Sequence, residues 1–427
     1  MTDRPIAFDL TRLVTRLRHA SPSGIDRVDL AYARAFLGGT RDGVGLVSTA
    51  FGPRVLERDH ALAIVEAVAA GWVEDREALA DPIYRGLATR CGAPPIAPAP
   101  DIEPSATGKA ARRRIQFRTA ADIALRGRPV TALPRDTLYL HTSHLRLDVP
   151  ERFDWLYSRR DVRAAFFVHD LIPITHPEYG RAGEAERHQA RLRTIGRHAA
   201  AILVNSADTG RRTLDHLASA GFGRPPVAVG HLGVEDAFGP AGSRFEPDQP
   251  TFLVCGTIES RKNHLLLFQI WRALAERHGA ATPRLIVVGR RGWEAESAID
   301  MLERCPSVRA HVIEATGLST HGLAALMRSC TALLMPSFTE GYGIPLVEAA
   351  ASGLPVVASD IPVHREIAER FALLRDPLDG PGWIDAIEAL ARPASPLRRD
   401  LARRLEGYLP PSWRAHFEAV GPTLAAL

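Results

Sequence analysis

Lysine, cysteine and long apolar runs are scarce in this sequence, and each shortage excludes something. Of 53 Lys and Arg, only Lys109 and Lys262 are lysines, and the formal net charge is +4. That is far weaker than the basic surface a nucleic-acid binder presents. Cys91, Cys255, Cys305 and Cys330 fall into no CxxC pair and no metal-ligand spacing, so neither a disulfide framework nor a zinc site is expected. Scattered thiols of this kind suit a reducing compartment. No apolar run approaches the roughly 20 residues that a transmembrane helix needs. The opening MTDRPIAFDLTRLVTRLRHA lacks the apolar core and cleavage site of a signal peptide. A cytoplasmic protein is expected. No internal repeat or heptad run stands out.

What is there is a globular composition, 46% hydrophobic and 24% charged, over 427 residues, a length that exceeds one core and suits two domains. Short apolar runs alternate with helical patterns, the sign of parallel sheets covered on both faces. Ile6 to Val14 reads as a first strand running into a loop. A turn at Ser21 to Ile25 caps a helix over Asp26 to Leu37. Arg54 to Gly86 reads as helical, and 91–104 as a Pro- and Ala-rich loop. Further strands end at His141, at His169-Asp170 and at Asn205-Ser206. Gly239 to Gln249, rich in Pro and Gly, reads as a linker. It divides a first domain, 1–240, from a second, 250–410, and 411–427 carry a last helix. Strands of the second set are read at Thr251 to Cys255, Leu285 to Val288, Val312 to Ala315 and Leu333 to Met335. Ligands in such sheets bind beyond the carboxyl ends of strands.

The stretch Phe338 to Asp360, FTEGYGIPLVEAAASGLPVVASD, organises the second domain. It follows a buried-strand pattern, passes Gly341 and Gly343, starts a short helix at Pro345 and enters another strand after Gly353. Backbone N–H groups in such a loop, with the helix start, suit a phosphate or a sugar hydroxyl. Glu340 and Glu348 frame the loop. Carboxylates repel phosphate, so they are better used as acceptors for vicinal hydroxyls. A nucleotide-sugar fits this chemistry; an exposed turn with solvated acids is the plain alternative. No Asp-x-Asp-like cluster lies beside the loop, and Asp360 stands alone downstream, so no metal or other cofactor is expected.

Glu340 to Glu348, EGYGIPLVE, resembles the paired-glutamate motif of retaining glycosyltransferases of family 4, which have the GT-B fold. Val254 to His264, VCGTIESRKNH, resembles the phosphate-binding segment of that family. The resemblance is close over about 250–365 and scattered before it. It implies an α/β GT-B architecture, with two Rossmann-like, doubly wound parallel-sheet domains facing a cleft. It implies a donor site of Gly256, Arg261, Lys262, Leu318, Glu340, Gly341, Tyr342, Gly343, Ile344 and Glu348. Arg261 and Lys262 would neutralise the leaving diphosphate, Glu340 would hold sugar hydroxyls and Glu348 the ribose. Phe166 to Pro173, FFVHDLIP, resembles the histidine segment, which would put His169 beside the transferred sugar. His141, His144 and His176 are read as structural. Gly24 to Arg27 resembles the glycine loop on the acceptor side, or is an ordinary helix start.

The expected activity is transfer of a hexose with retention to a saccharide or lipid-linked acceptor in cell-surface polysaccharide assembly. Arg261 to His264 is similar to bacterial mannosyltransferases, so GDP-mannose is the first donor considered and UDP-glucose the second. A nucleotide-sugar epimerase of the same fold is the alternative. Lys109 to Arg128 is a basic segment with Ile115, Phe117, Ala121 and Leu125 at helical spacing. It is read either as a solvated helix or as a contact with an anionic membrane at its inner face.

Overall fold

The structure, a computed structural model, describes residues 4–19, 22–39, 42–72, 76–95 and 109–427, the last without the side chains of 109–111. Most of the loop read at 91–104 lies outside the described residues.

Two α/β sheets carry the fold, as the alternation requires. The first contains β1 (Ile6–Asp9), β2 (Gly43–Thr49), β3 (Gly52–Leu56), β4 (Arg128–Pro129), β5 (Leu138–His141), β6 (Arg163–Val168), β7 (Ala199–Val204) and β8 (Val227–Val229). Its spatial order is β4-β3-β2-β1-β5-β6-β7-β8. The second contains β9 (Thr251–Cys255), β10 (Arg284–Val288), β11 (Val312–Ala315), β12 (Ala332–Met335), β13 (Val356–Ser359) and β14 (Leu373–Arg375), in the order β11-β10-β9-β12-β13-β14. Every pairing in the second sheet is parallel. Both faces of the central strands are buried. Phe166 points into one core of the first domain and Phe167 into the other, each with no exposed surface. Each such ring contributes about 1.5–3 kcal/mol relative to solvent.

Two readings need correction. Val14 is in a helix, Thr11–Arg16. Leu10, Leu13 and Leu17 are all buried there, a three- and four-residue spacing that belongs to a helix. The helical reading from Arg54 fails at its start, because β3 pairs antiparallel with β2 and also with β4. A two-residue connection joins β2 to β3, closed by Thr49 Oγ1 donating to the Gly52 carbonyl at 2.6 Å. Only an antiparallel pair can be joined so tightly.

Two segments pack away from their neighbours in sequence. The helix Pro82–Arg90 buries Tyr84, Leu87 and Ala88 in the core of the second sheet. Asp81 anchors it, accepting from Ser319 N at 2.7 Å and Ile83 N at 2.8 Å. The last helix, Trp413–Ala425, places Val420 and Leu424 in the core of the first sheet. Its His416 accepts from the Tyr32 hydroxyl through Nε2 at 2.7 Å and donates through Nδ1 to the His231 carbonyl at 3.1 Å.

The Tyr32–His416 bond generates a first prediction. Tyr32→Phe keeps the ring stack but leaves His416 Nε2 buried without a donor, a loss of about 1–3 kcal/mol. Thermal melting of the variant should show a clear drop. An unchanged melting temperature would mean the Tyr32 bond contributes nothing to holding the last helix.

Candidate active site

The second domain builds its part from the ends of β9, β10 and β12. β9 and β10 approach closely after their last residues. A Cβ on Gly289 would stand 1.8 Å from the Gly256 carbonyl oxygen, and Gly256 itself has φ +136°, so neither position tolerates a side chain. The chain then makes a short turn, Ser260–Lys262, ending at Asn263 with φ 55°. The Asn263 amide donates to the carbonyls of Pro336 at 3.2 Å and Pro377 at 3.0 Å. Phe338 N donates to the Arg261 carbonyl at 2.8 Å. These bonds lay the basic turn against the segment that follows β12.

Glu340 is the result of that docking. One carboxylate oxygen lies 2.7 Å from Arg261 Nη1 and the other 2.5 Å from Lys262 Nζ. Arg261 Nη2 reaches Glu259 at 2.6 Å. Burial pushes the Glu340 carboxyl up, but Arg261 and Lys262 overturn this and hold it well below the usual carboxylate range. Burial lowers the Lys262 ammonium, with Glu340 opposing. Burial lifts Glu259 in spite of the two cations. Two cations and two carboxylates thus form a balanced, nearly dry cluster.

The first domain meets this cluster at His169, just past β6. Its Nε2 donates to the Thr142 carbonyl at 2.7 Å. Burial lowers the ring to about 4, so it is neutral at pH 7 with Nδ1 as the acceptor. Its carbonyl accepts from Asn205 Nδ2 at 3.0 Å and lies against Gly341, where a Cβ would come within 2.7 Å of it. Ser206 and Thr209 hydroxyls donate to the Gly341 carbonyl, each at 3.4 Å. Gly341 therefore has to be glycine for the two domains to touch.

Gly24 opens the helix Gly24–Gly38, capped by Ser23 and Asp26. A Cβ on Gly24 would lie 3.3 Å from Ile344 Cδ1. Three residues on, Arg27 Nη1 donates to Glu348 Oε1 at 3.0 Å. Gly343, with φ 94°, precedes the helix Ile344–Ala351 that carries Glu348. The Tyr342 ring is buried against the first domain, its hydroxyl donating to the Leu232 carbonyl at 3.4 Å. Leu318 sits on the loop after β11 and packs on the second core. Glu340, Arg261, Lys262, Gly256, Gly341, Gly343, Ile344, Glu348, Gly24 and the His169 backbone thus gather where the carboxyl ends of the two sheets meet.

Sequence reasoning gave no individual role to several residues here. His364 has Nδ1 on the Ser359 carbonyl at 3.0 Å and lies beside the Gly343 turn. Burial lowers it to about 4. His264, also buried, is lowered to about 3. Arg27 reaches across the domain boundary, and Glu366 accepts from Ala207 N at 2.7 Å and Asp208 N at 3.2 Å. His364 and Glu366 follow the carboxyl end of β13, and that position was the available signal.

Residues 249–392 match the family described as glycosyl transferases group 1 and are a domain of that kind. The chain is similar to the serotype-specific mannosyltransferase WbdA of Escherichia coli, 31% identical over 250 residues, covering 54% of this chain and 30% of that protein. It is also similar to the O-antigen chain mannosyltransferase B of Escherichia coli, 35% identical over 138 residues, or 32% of this chain and 34% of that protein. The matched part therefore spans about a third of each of these relatives. Among solved structures, HepE of Anabaena, in complex with UDP and glucose, superposes over 99% of this chain and all of its own. The TM-score is 0.60 at 13% identity. The fold is that of GT-B glycosyltransferases.

The buried histidines set a pH dependence. His169, His364 and His416 are lowered from 6.5 to about 4 by burial. Between those values the unfolded chain binds protons that the folded chain does not, so stability falls as pH drops through that window. Asp29, lifted by burial to about 7, and Glu259, also lifted, work in the opposite sense, while buried His264 adds to the three rings. Melting temperature measured from pH 7 to 4.5 should decline below pH 6.5. A flat or rising profile there would contradict buried neutral rings.

Proposed function

We propose that this chain moves a hexose from a nucleotide-diphosphate sugar to a saccharide acceptor, with retention of anomeric configuration, in cell-surface polysaccharide assembly. One observation carries the reading. Glu340 is held between Arg261 and Lys262, while the residues after it, Gly341 and Ile344, lie against His169 and Gly24 of the facing domain at the carboxyl ends of both sheets. GDP-mannose is the first donor because the relatives are named mannosyltransferases; UDP-glucose is the second.

In this reading Arg261 and Lys262 turn from Glu340 to the departing diphosphate as negative charge builds on it. That is electrostatic stabilisation of the leaving group by preplaced cations, and no metal or other cofactor is required. Glu340, relieved of its partners, accepts from hydroxyls of the sugar as positive charge grows at the anomeric carbon. His169 faces the transferred sugar. Glu348 exchanges Arg27 for the ribose. The direct test is incubation with each donor and a mannoside acceptor, following release of nucleoside diphosphate and the configuration of the new linkage by NMR. Nucleotide-sugar isomerised without acceptor would favour an epimerase instead.

Kinetics separate the roles. Lys262→Ala should lower turnover about a hundredfold or more. Glu340→Gln should mainly lower kcat, because its contact strengthens during reaction, and Glu348→Gln should mainly raise the donor KM. All rates should survive EDTA. If Glu340→Gln and Glu348→Gln change only KM, the catalytic role of Glu340 is wrong.

The acceptor is read as a saccharide, lipid-linked or free. The helix Lys109–Arg126 exposes Phe117 and Leu125 among Arg113, Arg114 and Arg118, a pattern suited to an anionic bilayer surface. Co-sedimentation with phosphatidylglycerol vesicles, lost in Phe117→Ser/Leu125→Ser, supports that contact. No sedimentation at low salt removes it.

A further inference from the structure

Packing alone does not set the face that His169 presents. Its ring lies against Phe167, with centroids 4.5 Å apart, and against His144 at 5.1 Å. Such contacts fix the plane of an imidazole. They are nearly indifferent to a half-turn about χ2, which exchanges nitrogen for carbon of similar size. Hydrogen bonding decides the rest. The Thr142 carbonyl takes Nε2–H at 2.7 Å, which leaves the lone pair on Nδ1.

Thr142 is itself tied down. It stands one residue past β5, buried, and its hydroxyl donates to Asp29 Oδ1 at 2.7 Å. The side chain and the carbonyl of one residue thus link the helix Gly24–Gly38 to His169. Asp29 has no exposed surface, and its other oxygen, Oδ2, has no hydrogen-bond partner among the described residues. A half-satisfied carboxyl inside a core costs stability. Two apolar residues at positions 29 and 142 would fill the same space without that cost, so the bond is kept for what it holds. Asp29 also follows Arg27 by two residues, and Arg27 reaches Glu348. One helix therefore bears on the glutamate read at the ribose and, through Thr142, on the histidine read at the sugar.

We propose that Asp29 and Thr142 are positioning residues for transfer, fixing His169 with Nε2 protonated so that Nδ1 accepts from a hydroxyl of the bound hexose. This rests on the glycosyltransferase reading above. The other tautomer would offer N–H at that place, and the turned ring would offer C–H. Neither accepts a hydroxyl proton. The sugar would still be held by its nucleotide, but out of line for transfer.

The test joins kinetics to the ring itself. The full chain is made with isotopically labelled histidine, and long-range proton–nitrogen spectra are recorded at pH 7. His169→Gln identifies the His169 signals among the 16 histidines. The wild type should show Nε2 protonated and Nδ1 bare. Thr142→Val and Asp29→Ala each break the chain of bonds while the Thr142 carbonyl stays present. Each should give mixed tautomers at His169 and a kcat lower by about tenfold or more, with the donor KM within about threefold. The double variant should lose no more than either single one, because the two residues act through one bond. Thr142→Ser keeps the hydroxyl and should rescue both readouts. Tyr32→Phe loosens the same helix without touching the chain of bonds. It should lower the melting temperature but neither kcat nor the single tautomer. The proposal is overturned by a single tautomer or an unchanged kcat in Thr142→Val, which keeps the core filled and decides the matter if Asp29→Ala does not fold. An equal loss of kcat in Tyr32→Phe overturns it too, since the effect would then be one of stability alone. A wild type that transfers no hexose ends the glycosyltransferase reading instead, and the ring signals then decide by themselves whether Asp29 and Thr142 set His169.

Discussion

The clasp of Glu340 between Arg261 and Lys262 is the interaction on which the arrangement depends. Both cations are largely shielded from water, and the carboxylate almost wholly. Removing one member of such a cluster strands the others, at a cost of about 3–5 kcal/mol. The backbone is correspondingly overdetermined around it. Asn263 takes a left-handed conformation so that its amide can bridge two loops, and Gly256 and Gly289 pass at contact distance. Glu340 must sit where it does, and Gly341, one residue on, is thereby brought against the other domain.

The wall of the second domain balances its charges internally, so an incoming anion has to displace a carboxylate before it meets Arg261 or Lys262. A balanced pair that opens only for the right ligand discriminates better than bare cations, since the uncompensated state is costly.

Legibility from sequence followed burial. Strands covered on both faces are unbroken apolar runs, and Thr251–Cys255 and Val312–Ala315 have the bounds read for them. The half-exposed hairpin over Gly43–Leu56 has no such run, and its turn lacks the Asn-Gly signal that marks most two-residue connections. Local motifs gave Arg261, Lys262 and Glu340 as candidates for one site, and those three do meet. What no local pattern carries is pairing over distance. Arg27 and Glu348 are 321 positions apart. Nor does any spacing say that Tyr342, set among glycines, turns its ring into the first domain.

The crossing of Pro82–Arg90 onto the second sheet and of Trp413–Ala425 onto the first has a consequence for synthesis. A chain emerging from the ribosome presents β1 to β8 long before Val420 and Leu424 exist to close their core. Tyr32 waits for His416, 384 positions further along. Tyr84, made early, waits for a sheet that begins at Thr251. Neither half can mature first and serve as a finished template for the other. Apolar surface of the first core stays uncovered until the helix Trp413–Ala425 has been made, so the two lobes complete their cores together.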